Sequence, residues 1–207
     1  MSATLSAHGL CFAFPGGFGL GPVDLDLGPG VHLLLGANGC GKTTLLRCLC
    51  GGSRPDRGRV AVEGRDPHRE HAVRGRIAYV PAEPEIPRYL RVEEAWRTIA
   101  ALRRARDWDG AALCRALGLP PGLLLDHASH GQRRKAELVA ALAGDPPALL
   151  LDEPFAGLDE ASVALLRSWI AGWAAERVVL LTTHGDPRVA VTSTATLERG
   201  QALAWGV

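Results

Sequence analysis

Lysine is nearly absent from this chain. Among 23 lysines and arginines in 207 residues, only Lys42 and Lys135 are lysine. A sequence that writes its other basic positions as arginine keeps lysine where a compact point charge, not a planar fork, is wanted. Long apolar runs are missing as well. None approaches the ~18 residues needed to span a bilayer, so the chain is not expected to cross a membrane by itself. The stretch from Met1 to Gly9 carries no signal-peptide pattern. Formal net charge is only +1, which gives no overall field to draw in nucleic acid or an anionic membrane. The five cysteines, at 11, 40, 48, 50 and 114, include no C-x-x-C spacing and no even count. That speaks against a disulfide framework and for free thiols in a reducing cytosol. The short basic cluster Arg103, Arg104 and Arg106 reads as a solvated helix face. There is no internal repeat and no low-complexity tract.

What is present is a chain long enough for one domain with a sizeable core, or one domain with an inserted subdomain. Its most informative stretch is Gly36–Ala37–Asn38–Gly39–Cys40–Gly41–Lys42–Thr43, which fits G-x-x-x-x-G-K-[ST]. Val31–Leu35 before it reads as a buried strand and Thr44–Leu49 after it as the start of a helix. Glycines at 36, 39 and 41 let successive backbone N–H groups face one concavity, and the helix N-terminus adds its own unpaired N–H groups and positive partial charge. Phosphate is the natural guest. Lys42 reaches the β- and γ-phosphates in this reading, and the Thr43 hydroxyl holds Mg²⁺. The nucleotide-contacting set here is Asn38, Gly39, Cys40, Gly41, Lys42, Thr43 and Thr44. Oxidation of Cys40 would block the loop.

Strands are expected at Leu5–Phe14, Val23–Leu27, Val31–Leu35, Arg59–Glu63 and Ile77–Val80, with a turn at Pro15–Gly17. From Val92 the period becomes helical, with Val92, Ala95, Trp96, Ile99 and Leu102 on one face. Asp109 is placed to cap a second helix running through Leu117, and a third runs from about Gln132 to Ala143. Strands resume at Ala148–Asp152 and Val178–Thr182, both continuous apolar runs of the buried parallel kind. Between them Glu160–Ala175 is helical, with Val163, Leu166, Ile170 and Trp173 inward. Two short strands around Arg199–Gly200 end the chain. The pattern predicts an α/β fold: a P-loop NTPase core with a mostly parallel sheet, an N-terminal antiparallel β part and an inserted helical subdomain. The single domain covers 1–207, with core and β part in 1–81 and 146–207 and the helical subdomain at about 82–145. Nothing in the tail reads as a further regulatory domain.

A second constellation is Leu149–Leu150–Leu151–Asp152–Glu153–Pro154. It ends a buried strand in two carboxylates at the sheet edge where ligands of open α/β sheets bind. Asp152 there orients Mg²⁺ and Glu153 polarises the water that attacks the γ-phosphate. With both constellations in one chain, the sequence resembles the nucleotide-binding subunit of ABC transporters. Further stretches follow that family's order. Phe155–Ala156–Gly157–Leu158–Asp159 is similar to the D-loop. Thr182–Thr183–His184 resembles the switch histidine, and Ser129–His130–Gly131–Gln132 resembles the signature loop. Phe14 stands where the family stacks an aromatic ring on adenine, although Phe12 competes for that place. The resemblance implies ATP and Mg²⁺ as ligands, with Thr43 and Asp152 on the metal. It implies Glu153 and His184 as catalytic residues, and Ser129, Gly131, Gln132 and Asp159 as contacts to ATP held by the opposite subunit. Two chains would then close head to tail around two ATP molecules, as a homodimer or with a second ATP-binding subunit.

Three positions depart from the family pattern. His130 replaces a glycine of the signature loop. Ala82 stands where a glutamine usually follows the strand, with Glu83 or Glu85 as the nearest replacements. Cys40 occupies a position usually held by a small residue. The function expected is an ATPase subunit driving a separate transmembrane permease from the cytoplasmic face of the membrane, exporter-type by family analogy. Its contact surface would lie near Pro81–Leu90, with Tyr89 and Leu90 as candidates. The alternatives are a non-transport ABC protein acting as a nucleotide-gated clamp, and a kinase-type P-loop enzyme. The absence of a second cassette, of a long coiled-coil insert and of strong net charge weighs against nucleic acid as a partner.

Overall fold

The computed structural model describes residues 3–14, 19–105, 107–183, 185–198 and 201–202. The turn expected at Pro15–Gly17, Arg106 and His184 lie outside the described residues. In chain order the elements are β1 (Leu5–Ala13), β2 (Gly19–Leu27), β3 (Gly30–Leu35), α1 (Lys42–Leu49), β4 (Arg57–Val62), α2 (His71–Arg74), β5 (Ile77–Val80), α3 (Val92–Leu102), α4 (Gly110–Ala116), a 3₁₀ turn at Leu125–His127, α5 (His130–Ala141), β6 (Ala148–Leu151), α6 (Glu160–Trp173), β7 (Val178–Thr182), β8 (Ser193–Glu198) and β9 (Gln201–Ala202).

Two sheets form. One is antiparallel, in the order β2-β1-β4; the other runs β5-β6-β7-β3-β8-β9. From β5 to β8 every pairing in the second is parallel, and β9 returns antiparallel on β8. The sequence dictates this division. In β2, Leu20, Val23, Leu25 and Leu27 are buried while Asp24 and Asp26 are exposed, the alternation of a sheet with one wet face. In β6 and β7 every residue is buried, because helices cover both faces. On one face α1 fills the space between the sheets with Leu45, Leu46 and Leu49, against Leu10, Leu20, Leu150 and Leu180. On the other, Leu166 and Ile170 of α6 pack on Val31, Leu149, Val179 and Leu181.

The helices between β5 and β6 have a core of their own around Val92, Trp96, Cys114, Leu119, Leu125 and Val139. Asp109 caps α4 by accepting from the Ala111 N–H at 2.8 Å. α5 serves both cores. Leu138, Ala141 and Leu142 join the sheet, and Ala136, Val139 and Ala140 join the helical layer. No helix among the described residues is long and apolar enough to cross a membrane, and all five cysteines are free.

Several local expectations are corrected. Leu102 is 75% exposed, since α3 ends there and its last turn overhangs the core. Arg103 does not sit on a solvated face: it turns inward and donates to the carbonyls of Ile77, Ala141 and Ala143. Burial lowers its pKa to about 10. In α6 it is Ser162, with Leu166 and Ile170, that is buried, whereas Val163 and Trp173 are half-buried. Of the two candidate contacts near Pro81–Leu90, Tyr89 is exposed and Leu90 packs on the helical core.

Candidate nucleotide site

β3 delivers the chain into the loop 36–41, and the loop delivers it into α1. Gly36, Gly39 and Gly41 have φ of 151°, 76° and 111°, conformations that L side chains rarely adopt. A Cβ on Gly36 would stand 2.5 Å from the Leu197 carbonyl oxygen and 2.6 Å from Cys40 Sγ. Lys42 is buried, and its Nζ donates to the carbonyls of Gly36 at 2.6 Å and Ala37 at 3.1 Å. The one lysine of the N-terminal half thus lies inside the curl of the loop.

The ends of three elements meet beside it. Thr43 of α1 donates its hydroxyl to Asp152 Oδ2 at 2.6 Å. Thr182, the last residue of β7, donates to Asp152 Oδ1 at 2.6 Å and accepts from the Glu153 N–H at 3.0 Å. β6 and β7 are adjacent and parallel, so their carboxyl ends fall side by side. Asp152 is buried at the junction. Glu153 has φ of 47°, a strained conformation for a residue with a side chain.

A cleft of about 470 Å³ opens here, bounded by Phe14, Asn38, Gly39, Gly41, Lys42, Thr43, Thr44, Ala82, Asp152 and Glu153. Phe14 stands at its edge, with Phe12 against it edge-to-face at 5.0 Å. Phe12 belongs to the core. The Cys40 side chain is buried in the core beneath the loop, and its N–H donates to the Ala37 carbonyl at 3.3 Å. The replacements considered for the missing glutamine are corrected: neither Glu83 nor Glu85 lines the cleft. Glu83 pairs with His130, Nε2 to Oε2 at 3.1 Å, and Glu85 pairs with Arg47. Only the Ala82 methyl faces the cleft from that loop.

The remaining candidates lie elsewhere. Ser129, Gly131, Gln132 and Asp159 do not line the cleft. Ser129 caps α5. Its hydroxyl accepts from the Gln132 N–H at 3.2 Å, and Gln132 Oε1 accepts from the Ser129 N–H at 2.9 Å, a capping box. Gly131 is held against Gly157, whose carbonyl oxygen a Cβ would approach to 2.7 Å. Asp159 caps α6 through the Ser162 N–H at 2.8 Å and pairs with Lys135 at 2.6 Å. Lys135 first, and Ser162 after it, hold this carboxyl well below the usual carboxylate range. The chain therefore presents two separate surfaces, a phosphate cradle and an exposed helix start.

The sequence profile of ABC transporters matches residues 20–156. The chain belongs to the ABC transporter family. An ABC transporter ATP-binding protein of Streptomyces coelicolor is 41% identical over 173 residues, 78% of this chain and 30% of that one. This domain thus spans about 30% of the length of that relative. The cytochrome c biogenesis ATP-binding export protein CcmA of Xanthomonas axonopodis pv. citri is 35% identical over 187 residues, 87% of this chain and 86% of that one. A solved ATP-binding subunit of an ABC transporter superposes with a TM-score of 0.84 at 27% identity, covering 98% of this chain and 89% of that one. A dimeric ATP-binding cassette bound to ADP and Pi matches with a TM-score of 0.83 at 20% identity, a likeness of fold. The fold is that of an ABC ATPase domain.

Two buried residues behind the cleft have no role that the sequence marks. Thr182 has no spacing signal of its own; only its place at the end of an apolar strand marks it. Arg134 is one arginine among many, and nothing local tells that it is the largest fully buried side chain among the described residues.

Proposed function

We propose that this chain is the ATP-hydrolysing subunit of an ABC transporter. Two such domains close head to tail around two ATP molecules and drive a separate transmembrane subunit, exporter-type, from the cytoplasmic face. One observation carries the reading: the Asp152 carboxylate, next to Glu153, takes the Thr43 hydroxyl at the mouth of the phosphate cradle.

Lys42 and the N-terminal amides of α1 hold the phosphates, and the Phe14 ring offers its face to the adenine. The oxygen donors Thr43 Oγ1 and Asp152 suit Mg²⁺. Among the described residues no group of three or more His, Cys, Asp or Glu forms a cage, which fits a cation that takes one or two protein oxygens together with substrate phosphates. When bound, the cation neutralises charge on the phosphate oxygens. Glu153 accepts a proton from the attacking water; the new O–P bond forms at the γ-phosphorus as the bond to the ADP oxygen breaks. His184 is assigned by sequence order to orient that water against the γ-phosphate. Ser129, Gly131, Gln132 and Asp159, which do not line their own cleft, are assigned to the ATP of the opposite subunit. The export reading is supported by the coverage of CcmA. An import relative, the sulfate/thiosulfate protein CysA of Gloeobacter violaceus, is matched over 72% of this chain and 45% of its own length.

Glu153→Gln tests the core of this. Gln keeps the size and removes the base, so turnover should fall by roughly 10²–10⁴-fold with ATP binding retained. Normal turnover in a purified, ATP-binding variant would remove Glu153 from the role.

A further inference from the structure

β5 and β6 run side by side in parallel, and their last ladder bond is the Asp152 N–H to the Val80 carbonyl at 2.9 Å. Beyond it the chains part, leaving four carbonyls with no strand opposite: Pro81 and Ala82 on one side, Asp152 and Glu153 on the other. The Arg134 guanidinium lies in that fork, fully buried. One NH₂ group donates to the Pro81 carbonyl and to Ala82 O at 3.3 Å. The other donates to Asp152 O at 2.7 Å and Glu153 O at 2.8 Å. A guanidinium has five donors in a fixed plane and accepts nothing, so it can join two diverging backbones where a lysine ammonium, a single point, cannot.

The neighbours of Arg134 on the same face of α5 complete the arrangement. Glu137 accepts from the Glu85 and Ile86 N–H groups at 3.0 and 3.1 Å. His130, the residue that departs from the signature pattern, takes the Glu83 side chain. α5 thus holds the loop at Pro81, Ala82, Glu83, Glu85 and Ile86. Its cleft-facing side offers only the Ala82 methyl, so no side chain there can order the loop from within the site.

We propose that Arg134 is a positioning residue for the hydrolytic step: it fixes the strained Glu153 peptide and the loop 81–86 in one unit with α5. The inference rests on the reading of Glu153 given above. Arg134 touches neither the cleft nor a reacting atom, and acts through the carbonyls it holds.

The test uses the full chain carrying Arg134→Met, Arg134→Lys or Glu137→Gln. Each is measured for ATP affinity, kcat and amide hydrogen exchange, with Glu153→Gln in parallel. In Arg134→Met, exchange should quicken at residues 82–86 and 153–156 while α1 keeps its protection. ATP affinity should hold within about threefold, and kcat should fall on the order of 10²-fold, the scale of an ångström-level misplacement. Arg134→Lys should recover part of kcat. Glu137→Gln, which keeps shape and one acceptor, should loosen only the Glu85 and Ile86 amides and lower kcat by a few-fold. If Arg134→Met does not fold, the two milder variants decide. Wild-type kcat in both, unchanged exchange, or a loss of ATP affinity in step with kcat would overturn the proposal. Should Glu153→Gln turn over normally, the assignment of Glu153 fails, and the exchange pattern alone decides whether Arg134 holds the two loops.

Discussion

The two walls of the cleft are built by opposite means. The phosphate wall is local: nine consecutive residues, Gly36 to Thr44, curl one backbone segment around one lysine. The facing wall is assembled from a distance. The loop after β5 is held by His130, Arg134 and Glu137, about fifty residues further along the chain, and Glu153 is held by Arg134 and Thr182. A local cradle binds with little help from the rest of the fold. A wall held by long-range bonds moves when the element holding it moves, which is what coupling ATP to a partner requires. The two walls should therefore fail differently when damaged.

The largest binding effect is expected on the local wall. Lys42→Ala removes the ammonium lying inside the loop, and ATP affinity should drop by roughly 10–10²-fold, the worth of a charged hydrogen bond; equilibrium titration with a fluorescent ATP analogue measures it. Tight binding by that variant would mean that the loop is not the phosphate site. A smaller, purely kinetic effect is expected on the facing wall. Ala82→Gln places a side chain where only a methyl now faces the cleft, and should change kcat by a few-fold while leaving ATP affinity unaltered. An equal change in both would erase the distinction between the walls.

The smallest effect concerns the ion pair that joins α5 to the start of α6. Lys135 keeps the Asp159 carboxyl well below its ordinary range. A depressed carboxyl contributes stability that is full above the ordinary carboxylate pKa and is lost only as pH falls through the lower, folded value. Lys135→Met lets Asp159 protonate nearer about pH 4. Stability at neutral pH should then fall by a small amount, because the Asp159 side chain is exposed. The acid limb of the unfolding curve should begin at higher pH, and the two proteins should converge below the folded value. An unshifted acid limb would show that another group holds Asp159.

The difference between the walls also explains what the sequence made visible. The Gly36–Thr43 loop, the carboxylates at 152 and 153, and the strands Ile77–Val80 and Val178–Thr182 are legible because spacing or an unbroken apolar run determines them over a few residues. Arg134, Glu137 and Thr182 are not. Their roles arise from partners on other elements, and a buried arginine looks like an exposed one until the fold surrounds it. The four-residue helix α2 has no apolar period to announce it. Leu102 continues the helical stripe of α3 in sequence and still faces water, because the stripe outlasts the core it packs on. The order of the motifs reaches His184, which the described residues do not include.

Ser129, Gly131 and Gln132 sit at an exposed helix start that their own cleft does not use, and the central claim is that a second subunit completes the site there. The most direct measurement is the mass of the Glu153→Gln protein in solution, by size-exclusion chromatography with light scattering, without and with ATP and Mg²⁺. The account predicts a monomer that becomes a dimer when ATP is added, with the His130 side chain tolerated at the signature position. A protein that binds ATP and stays monomeric at micromolar concentration would contradict it.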